Sequence, residues 1–244
     1  MRSVLRSLSI VLIATCLSAC PISNPGVTRM SSDYAAQVKK VGLLSLVDLE
    51  PNISYLTTSA QESFFSRAAL PGWDADAIVQ RVVGGNLQRR RFEVIPIARS
   101  AELLEVYESD WSYPRVDAIH ADLYALGAEL KLDVIVVVCR HVESDLATKT
   151  NQKLRGYGLQ KAFDTGPFAY AAVYVEALDI KKQFVVSRAD GFQVAPLPAE
   201  AWSSEFEHTR GIVPVAAGAR ATVLELLSRI FGDAVAVAAQ EAGV

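Results

Sequence analysis

The chain has few cysteines, and this scarcity excludes a fold stabilised by disulfides. Its 244 residues contain three, Cys16, Cys20 and Cys139. Cys16 and Cys20 lie near the end of an apolar N-terminal run, so Cys139 is the only cysteine in the body of the chain and has no partner there for a disulfide. Cys139 follows an apolar stretch, where a free cysteine usually behaves as a small buried hydrophobic residue. We predict a buried, inert thiol; the alternative is a reactive one.

Sequence motifs for metal, cofactor and nucleophile chemistry are also missing. The three histidines, His120, His141 and His208, show neither H-E-x-x-H nor H-x-x-x-H spacing. The chain has no G-x-S-x-G elbow, no G-x-x-x-x-G-K-[ST] loop and no G-x-G-x-x-G turn. The sequence therefore predicts no metal site and no cofactor, and it indicates no particular reaction.

The chain also lacks an excess of positive charge and a long apolar run. It has 24 basic and 27 acidic residues. Removing residues 1–19 would remove two basic residues and no acidic ones, which leaves a formal charge of −5. Proteins that bind nucleic acid need a basic face, so this balance argues against a nucleic-acid partner. No later segment reaches the roughly 20 apolar residues of a membrane-spanning helix.

An N-terminal export signal is present. Arg2 and Arg6 give a positive start, and residues 8–17 form an apolar run that is too short to cross a bilayer as a helix. The run ends in Leu-Ser-Ala followed by Cys20. This ending resembles the lipobox of bacterial lipoprotein precursors. The alternative is an ordinary secretory signal beside an incidental cysteine.

The lipobox resemblance implies where the protein is located. Residues 1–19 would be a cleaved signal peptide, and Cys20 would carry acyl chains of the palmitate type that bind a lipid bilayer. Pro21 stands where Asp favours inner-membrane retention in enteric lipoproteins, so we expect an outer-membrane lipoprotein of the bacterial cell envelope that faces the periplasm. Residues 20–37, rich in Pro, Ser, Gly and Asn, are predicted to be a flexible tether. Residues 38–244 are predicted to be one domain.

Strands and helices alternate along this body, which predicts an α/β fold. Residues 41–47, 92–97 and 132–138 are apolar strands, the last of them central. Asp74 and Ser100 are expected to cap the two helices that follow them. The remaining predicted elements are a third helix over 116–129, an edge strand within 154–159, a hairpin over 168–180 and 183–194, and a last helix that opens at 213–214 and kinks near 232–233. The expected architecture is a layered mixed sheet of about five strands with helices packed on it and a C-terminal helix.

Residues 48–72 are expected to be a long irregular loop. Pro51, Asn52 and the pair at 71–72 break any periodicity. Loops of this length are uncommon in compact domains and are usually functional or disordered. The segment is rich in aromatic residues, which either fold back onto the core or line a binding loop. These weak binding candidates are Tyr55, Phe64, Phe65 and, just beyond the segment, Trp73.

The body resembles two groups of envelope lipoproteins. A strand over residues 40–46, the segment Leu-Gly-Ala-Glu-Leu-Lys-Leu-Asp-Val-Ile-Val-Val at 126–137 and a hairpin after it carry the resemblance. It covers roughly residues 39–195 and is similar to the curli-assembly (CsgG-like) and penicillin-binding-protein-activator (LpoB-like) proteins. Those families are not enzymes; they bind protein partners or assemble into secretion pores. The resemblance carries over no functional residue except Cys20.

Polar residues at the ends of two predicted strands form the best candidate for chemistry. Asp48 follows the first strand, and His141 and Asp145 follow the central one. Ligands of open α/β sheets bind beyond the carboxyl ends of strands, and a His with two carboxylates can transfer protons or hold a cation. The alternative is that these are ordinary solvent-exposed residues at strand ends.

The sequence therefore favours a non-enzymatic envelope lipoprotein that binds or assembles another envelope protein. The alternative is a periplasmic hydrolase or small-ligand-binding enzyme that uses Asp48, His141 and Asp145.

Overall fold

The computed structural model describes residues 28–57, 63–108, 116–144, 153–162 and 165–244, and these form one mixed sheet of nine strands plus a two-stranded ribbon. The sheet strands are β1 Lys40–Leu46, β2 Asn52–Leu56, β3 Phe64–Ala69, β4 Glu93–Ile97, β5 Val134–Arg140, β8 Tyr157–Ala162, β9 Phe168–Asp179, β10 Phe184–Pro196 and β11 Gly211–Pro214. The ribbon pairs β6 Val142–Ser144 with β7 Lys153–Arg155. The helices are α1 Ser32–Ala35, α2 Ala75–Val79, α3 Gly85–Arg89, α4 Ala101–Glu108, α5 His120–Glu129 and α6 Arg220–Ala242.

The long strand β9 joins two groups of strands. Along one side it pairs with β10 over its full length. On its other side, the C-terminal half pairs antiparallel with β5 and the N-terminal end pairs antiparallel with β8. We call β5, β1 and β4 the first wing and β8, β2, β3 and β11 the second wing, since each set continues outward in that order. Both wings leave the same edge of β9, so the sheet branches there.

Alternating side chains of the first wing fill two hydrophobic cores on opposite faces. Leu43 of β1 and Val136 of β5 belong to the larger core, whereas Leu44 and Val137 belong to the smaller one. This is the period-two pattern of a strand covered on both faces, which explains the nearly continuous apolar character of β1 and β5. Helix α6 packs on the larger core, and α4 and α5 pack on the smaller core.

Two predicted helix starts and the hairpin are confirmed. The side chain of Asp74 accepts a hydrogen bond from the backbone N–H of Ala77 at 2.8 Å, and that of Ser100 accepts one from Leu103 at 3.2 Å. A π-helical turn, Gln80–Gly84, joins α2 to α3. Strands β9 and β10 form the predicted antiparallel hairpin, and β5 lies in the interior of the sheet as expected.

The predicted strand number is wrong, because the sheet has nine strands and not about five. Most of the difference lies in residues 48–72, which were expected to form a loop. Strands β2 and β3 occupy this segment and pair with each other antiparallel. β2 also pairs parallel with β8, a strand about 100 residues later, so distant hydrogen bonds stabilise what local sequence did not indicate. β8 is correspondingly an interior strand and not an edge strand.

Both ends of the body also differ from the prediction. Residues 28–37 of the expected tether contact the domain: Thr28 exchanges backbone hydrogen bonds with Arg188, and Met30 is buried. At the other end, residues 211–214 form the edge strand β11, and the last helix begins only at Arg220. Helix α6 continues through residues 232–233, where a kink was expected. No helix among the described residues combines the length and apolar character that crossing a membrane requires.

Candidate functional site

A buried ion pair lies at the branch point of the sheet. Asp48 follows β1, and Arg140 ends β5. The guanidinium Nη1 of Arg140 donates to Asp48 Oδ1 at 2.7 Å, and each side chain is only 4% exposed. The Arg140 guanidinium also lies over the ring of Tyr107, 5.1 Å from its centroid. Because this carboxylate already neutralises a buried cation, Asp48 serves as a structural counter-ion in this arrangement.

Hydrogen bonds tie the Asp48 segment to the second wing. The hydroxyl of Tyr157 donates to the backbone carbonyl of Asp48, and the Trp73 indole N–H donates to the Tyr157 oxygen at 3.0 Å. The Asn52 amide donates to the carbonyl of Arg155 at 3.0 Å. Burial raises the pKa of Tyr157 well above its ordinary value, so this phenol stays protonated and acts as a donor.

A groove of about 760 Å³ begins at this branch point and runs over the second wing. Paired residues on neighbouring strands share a face of a sheet. The pairs Asn52 with Arg67 and Arg67 with Ile212 therefore set one row of side chains across β2, β3 and β11, and all three residues line the groove. The ribbon forms the opposite wall through Val142, Lys153 and Arg155.

The groove combines positive charge with exposed apolar side chains. Its lining includes four basic side chains, those of Arg67, Arg140, Lys153 and Arg155, against the single carboxylate of Asp48. Phe65 and Ile212 lie in the same lining and are 59% and 63% exposed, two of the large hydrophobic residues that the structure leaves open to solvent. The arrangement suits an anionic ligand that also offers an apolar group.

The four aromatic candidates separate into different environments. Trp73 folds back onto the larger core, with ring centroids 5.0 Å from Tyr157 and 5.8 Å from Phe231. Tyr55 lies beneath the Lys161 ammonium at 5.7 Å, and Phe64 meets the ring of His208 at 6.4 Å. Only Phe65 among the four lines the groove. Trp73 therefore folds back onto the core, whereas a binding role for Phe65 stays a prediction.

His141 lines a second, smaller cavity of about 440 Å³. There its ring stacks on Tyr174, with centroids 6.1 Å apart and planes at 22°. The same cavity contains a His120 Nε2 to Glu176 Oε2 contact of 2.9 Å, in which Glu176 is almost wholly buried. Asp48 lines the groove and His141 lines this cavity, and the two adjoining spaces share Arg140 and Val142 in their linings.

Some predicted residues lie outside the described part of the chain. Cys20 and Asp145 are both among them. Cys139 is described, and burial raises the pKa of its thiol to about 12. An inert buried cysteine is the behaviour that this value indicates.

The structure adds an acidic residue that sequence reasoning missed. Asp190 lies on β10, opposite Tyr174 of β9. One ligand atom each from His141, Glu143 and Asp190 lie within 4.8 Å of one another. Nothing local in the sequence around residue 190 indicates this position, because it depends on the pairing of β5, β9 and β10.

Comparisons with known proteins give only distant structural likenesses. No family model and no curated protein matches the chain. Solved structures that it resembles include the PelC dodecamer from Paraburkholderia phytofirmans, with TM-score 0.39, 12% identity and coverage of 88% of this chain and 95% of that one. Protein XCC0632 from Xanthomonas campestris has a TM-score of 0.37 and 12% identity, and the match covers 82% of this chain and 83% of that one. The LpoB C-terminal domain from Salmonella enterica is of a kind that the sequence resembles. It has a TM-score of 0.28 and 8% identity, and the match covers 64% of this chain and 83% of that one. TM-scores in this range carry no argument about what the chain does.

Proposed function

We propose that this protein is a lipid-anchored, non-enzymatic binding protein of the bacterial envelope. Its groove would hold an acidic, extended segment of an envelope protein. The single observation that carries the proposal is the groove on the second wing. Besides the neutralised Arg140, it places the basic side chains of Arg67, Lys153 and Arg155 beside the exposed apolar groups of Phe65 and Ile212. Complementary charge selects a partner, and an exposed aromatic side chain supplies apolar area for binding.

The enzymatic alternative receives less support from the same geometry. Asp48 is engaged in the buried pair with Arg140, and a general base must reach the proton that it takes from a substrate. A groove lined by basic and apolar groups fits recognition better than acid–base chemistry.

The lipid anchor is the second part of the proposal and rests on Leu17, Ser18, Ala19 and Cys20. Each buried methylene contributes about 0.8 kcal/mol, and stable attachment needs at least two acyl chains. Full-length protein labelled in cells with tritiated palmitate should carry the label and sediment with membranes. The C20S variant should carry no label; an equally labelled, membrane-bound C20S protein would exclude the anchor.

The groove is tested by photocrosslinking in intact cells. A photoreactive phenylalanine analogue replaces Phe65 in the groove or, as the control, Phe184, which is 43% exposed on β10. We expect position 65 to yield a reproducible adduct with one envelope protein, identified by mass spectrometry, and position 184 to yield none. The adduct should fall at least fivefold when Lys153→Glu reverses a charge in the groove wall, and should persist in Lys153→Arg. An absent adduct, or one indifferent to Lys153→Glu, would contradict the proposal.

A further inference from the structure

Three metal-ligating side chains meet beside the branch point, outside the groove lining. His141 follows β5, Glu143 lies on β6 and Asp190 lies on β10. One ligand atom from each lies within 4.8 Å of the other two, and all three residues are partly buried. His141 and Glu143 are two residues apart, whereas Asp190 comes from the distant strand β10, so the cluster is not a local feature of one acidic stretch.

Backbone pairing sets the position of each member. The backbone N–H of His141 donates to the carbonyl of Ala172 at 3.0 Å, and its ring lies against Tyr174. Asp190 is the β10 partner of that same Tyr174. His141 and Asp190 therefore approach one residue of β9 from its two sides. Glu143 is placed by the ribbon, in which β6 pairs with β7. The backbone N–H of Gly156, just after β7, donates to the carbonyl of His141 at 2.9 Å and holds the ribbon to the sheet.

The donor set has a definite metal preference. One imidazole nitrogen and two carboxylates suit zinc and the other divalent first-row transition metals, whereas magnesium and calcium prefer oxygen ligands alone. Ligands at about 2.0–2.2 Å from zinc stand roughly 3.4 Å apart in a tetrahedron, so small side-chain rotations within the 4.8 Å limit close the site. Three protein ligands leave the fourth position of a tetrahedral zinc site to water.

We propose that His141, Glu143 and Asp190 bind one divalent transition-metal ion, with zinc as the best match. The ion would connect the ribbon to the β9–β10 hairpin. Val142, Lys153 and Arg155 of that ribbon line the groove, so metal binding would stiffen one of its walls. The site itself stands independently of what the groove binds.

Isothermal titration of full-length protein in detergent, stripped of metal with a chelator, tests the proposal. Zinc chloride should bind at one ion per chain with a micromolar or lower Kd, and magnesium chloride should give no saturable heat. His141→Gln and Asp190→Asn should each weaken zinc binding at least tenfold. His208→Gln is the matched control, because His208 is exposed, contacts Phe64 of β3 and is not a member of the cluster, and it should bind zinc like the wild type.

Two readouts keep the experiment decisive. Circular dichroism identifies a variant that fails to fold, and Glu143→Gln then takes its place. Cobalt(II), substituted for zinc, should show ligand-field absorption in the wild type that disappears in Asp190→Asn. A hydrogen-bonded cluster without metal would show no saturable zinc binding, and that result would overturn the proposal. Zinc binding that His141→Gln leaves unchanged, or that His208→Gln removes, would overturn it equally.

Discussion

At the scale of single residues, the Asp48–Arg140 pair dominates the branch point. Both side chains are excluded from water, and the guanidinium gains a further contact with the face of Tyr107. Each buried charge is stable only beside the other, because either one alone would lose its hydration without compensation. The pair also connects the end of β1 to the end of β5, next to the groove.

Removing the charge of Asp48 should therefore destabilise the protein strongly. We expect Asp48→Asn to lower the free energy of unfolding by about 3–5 kcal/mol, because it leaves the Arg140 cation buried without a counter-ion. Chemical denaturation followed by circular dichroism measures the change. Glu50→Gln is the matched control: its pair with Arg67 spans 3.5 Å and is largely exposed, so the loss should stay below about 0.5 kcal/mol. Equal losses in the two variants would refute this account of the branch point.

At the scale of elements, helix α6 and the β9–β10 hairpin pack unusually closely. Gly191 of β10 faces the backbone of α6, and a Cβ at this position would overlap the carbonyl oxygen of Ala234. Ala238, one turn later, lies at 3.1 Å from the same hypothetical atom. The absence of a side chain at Gly191 thus sets how near the helix approaches the sheet.

Adding one methyl group should separate these two elements. Gly191→Ala is expected to cost at least about 2 kcal/mol of stability, since the neighbouring atoms belong to rigid backbone and cannot rotate away. Gly85→Ala serves as the comparison, because nothing lies within 4 Å of a Cβ there and the residue is helical. That change should stabilise the protein by about 0.5–1 kcal/mol. Thermal unfolding distinguishes the two; a neutral Gly191→Ala would show that α6 is packed less tightly than described.

Some of these elements could be predicted from the sequence and others could not. The apolar strands β1 and β5, the hairpin and the helix caps at Asp74 and Ser100 follow from local pattern, and the structure confirms them. β2 and β3 pair with each other, but each also needs a partner more than 100 residues later, β8 for β2 and β11 for β3, which local pattern does not indicate. The same limit applies to the candidate sites. His141 was noticeable after a buried strand, but Asp190 approaches it only through strand pairing.

At the scale of the whole molecule, buried ionisable groups link stability to alkaline pH. Tyr107, Tyr157 and Tyr170 are each at most 2% exposed, and burial raises the pKa of each phenol above its ordinary value. Burial raises the pKa of the Cys139 thiol as well, to about 12. In the unfolded chain these groups ionise near pH 8.5 for the thiol and near pH 10 for the phenols.

Stability should consequently fall as the pH rises above about 9. The folded state keeps protons that the unfolded state releases, so each such group lowers the free energy of unfolding by about 1.4 kcal/mol per pH unit between its two pKa values. Below the unfolded-state values the contribution is complete and independent of pH. Circular dichroism and tyrosinate absorbance, recorded together from pH 8 to pH 12, measure this loss.

The two signals should change in one cooperative step, and Tyr170→Phe should make the decline with pH less steep by one proton. Tyrosinate absorbance that rises fully before the circular dichroism changes would show that these phenols are accessible in the folded protein.

The branching of the sheet at β9 has a consequence for how the chain is completed during synthesis. Until residues 168–179 leave the ribosome, β5 and β8 each present an unpaired edge, because a single later strand closes both. Open strand edges are templates for pairing with other chains. We therefore expect the nascent chain to expose two open strand edges between the synthesis of β8 and the emergence of β9.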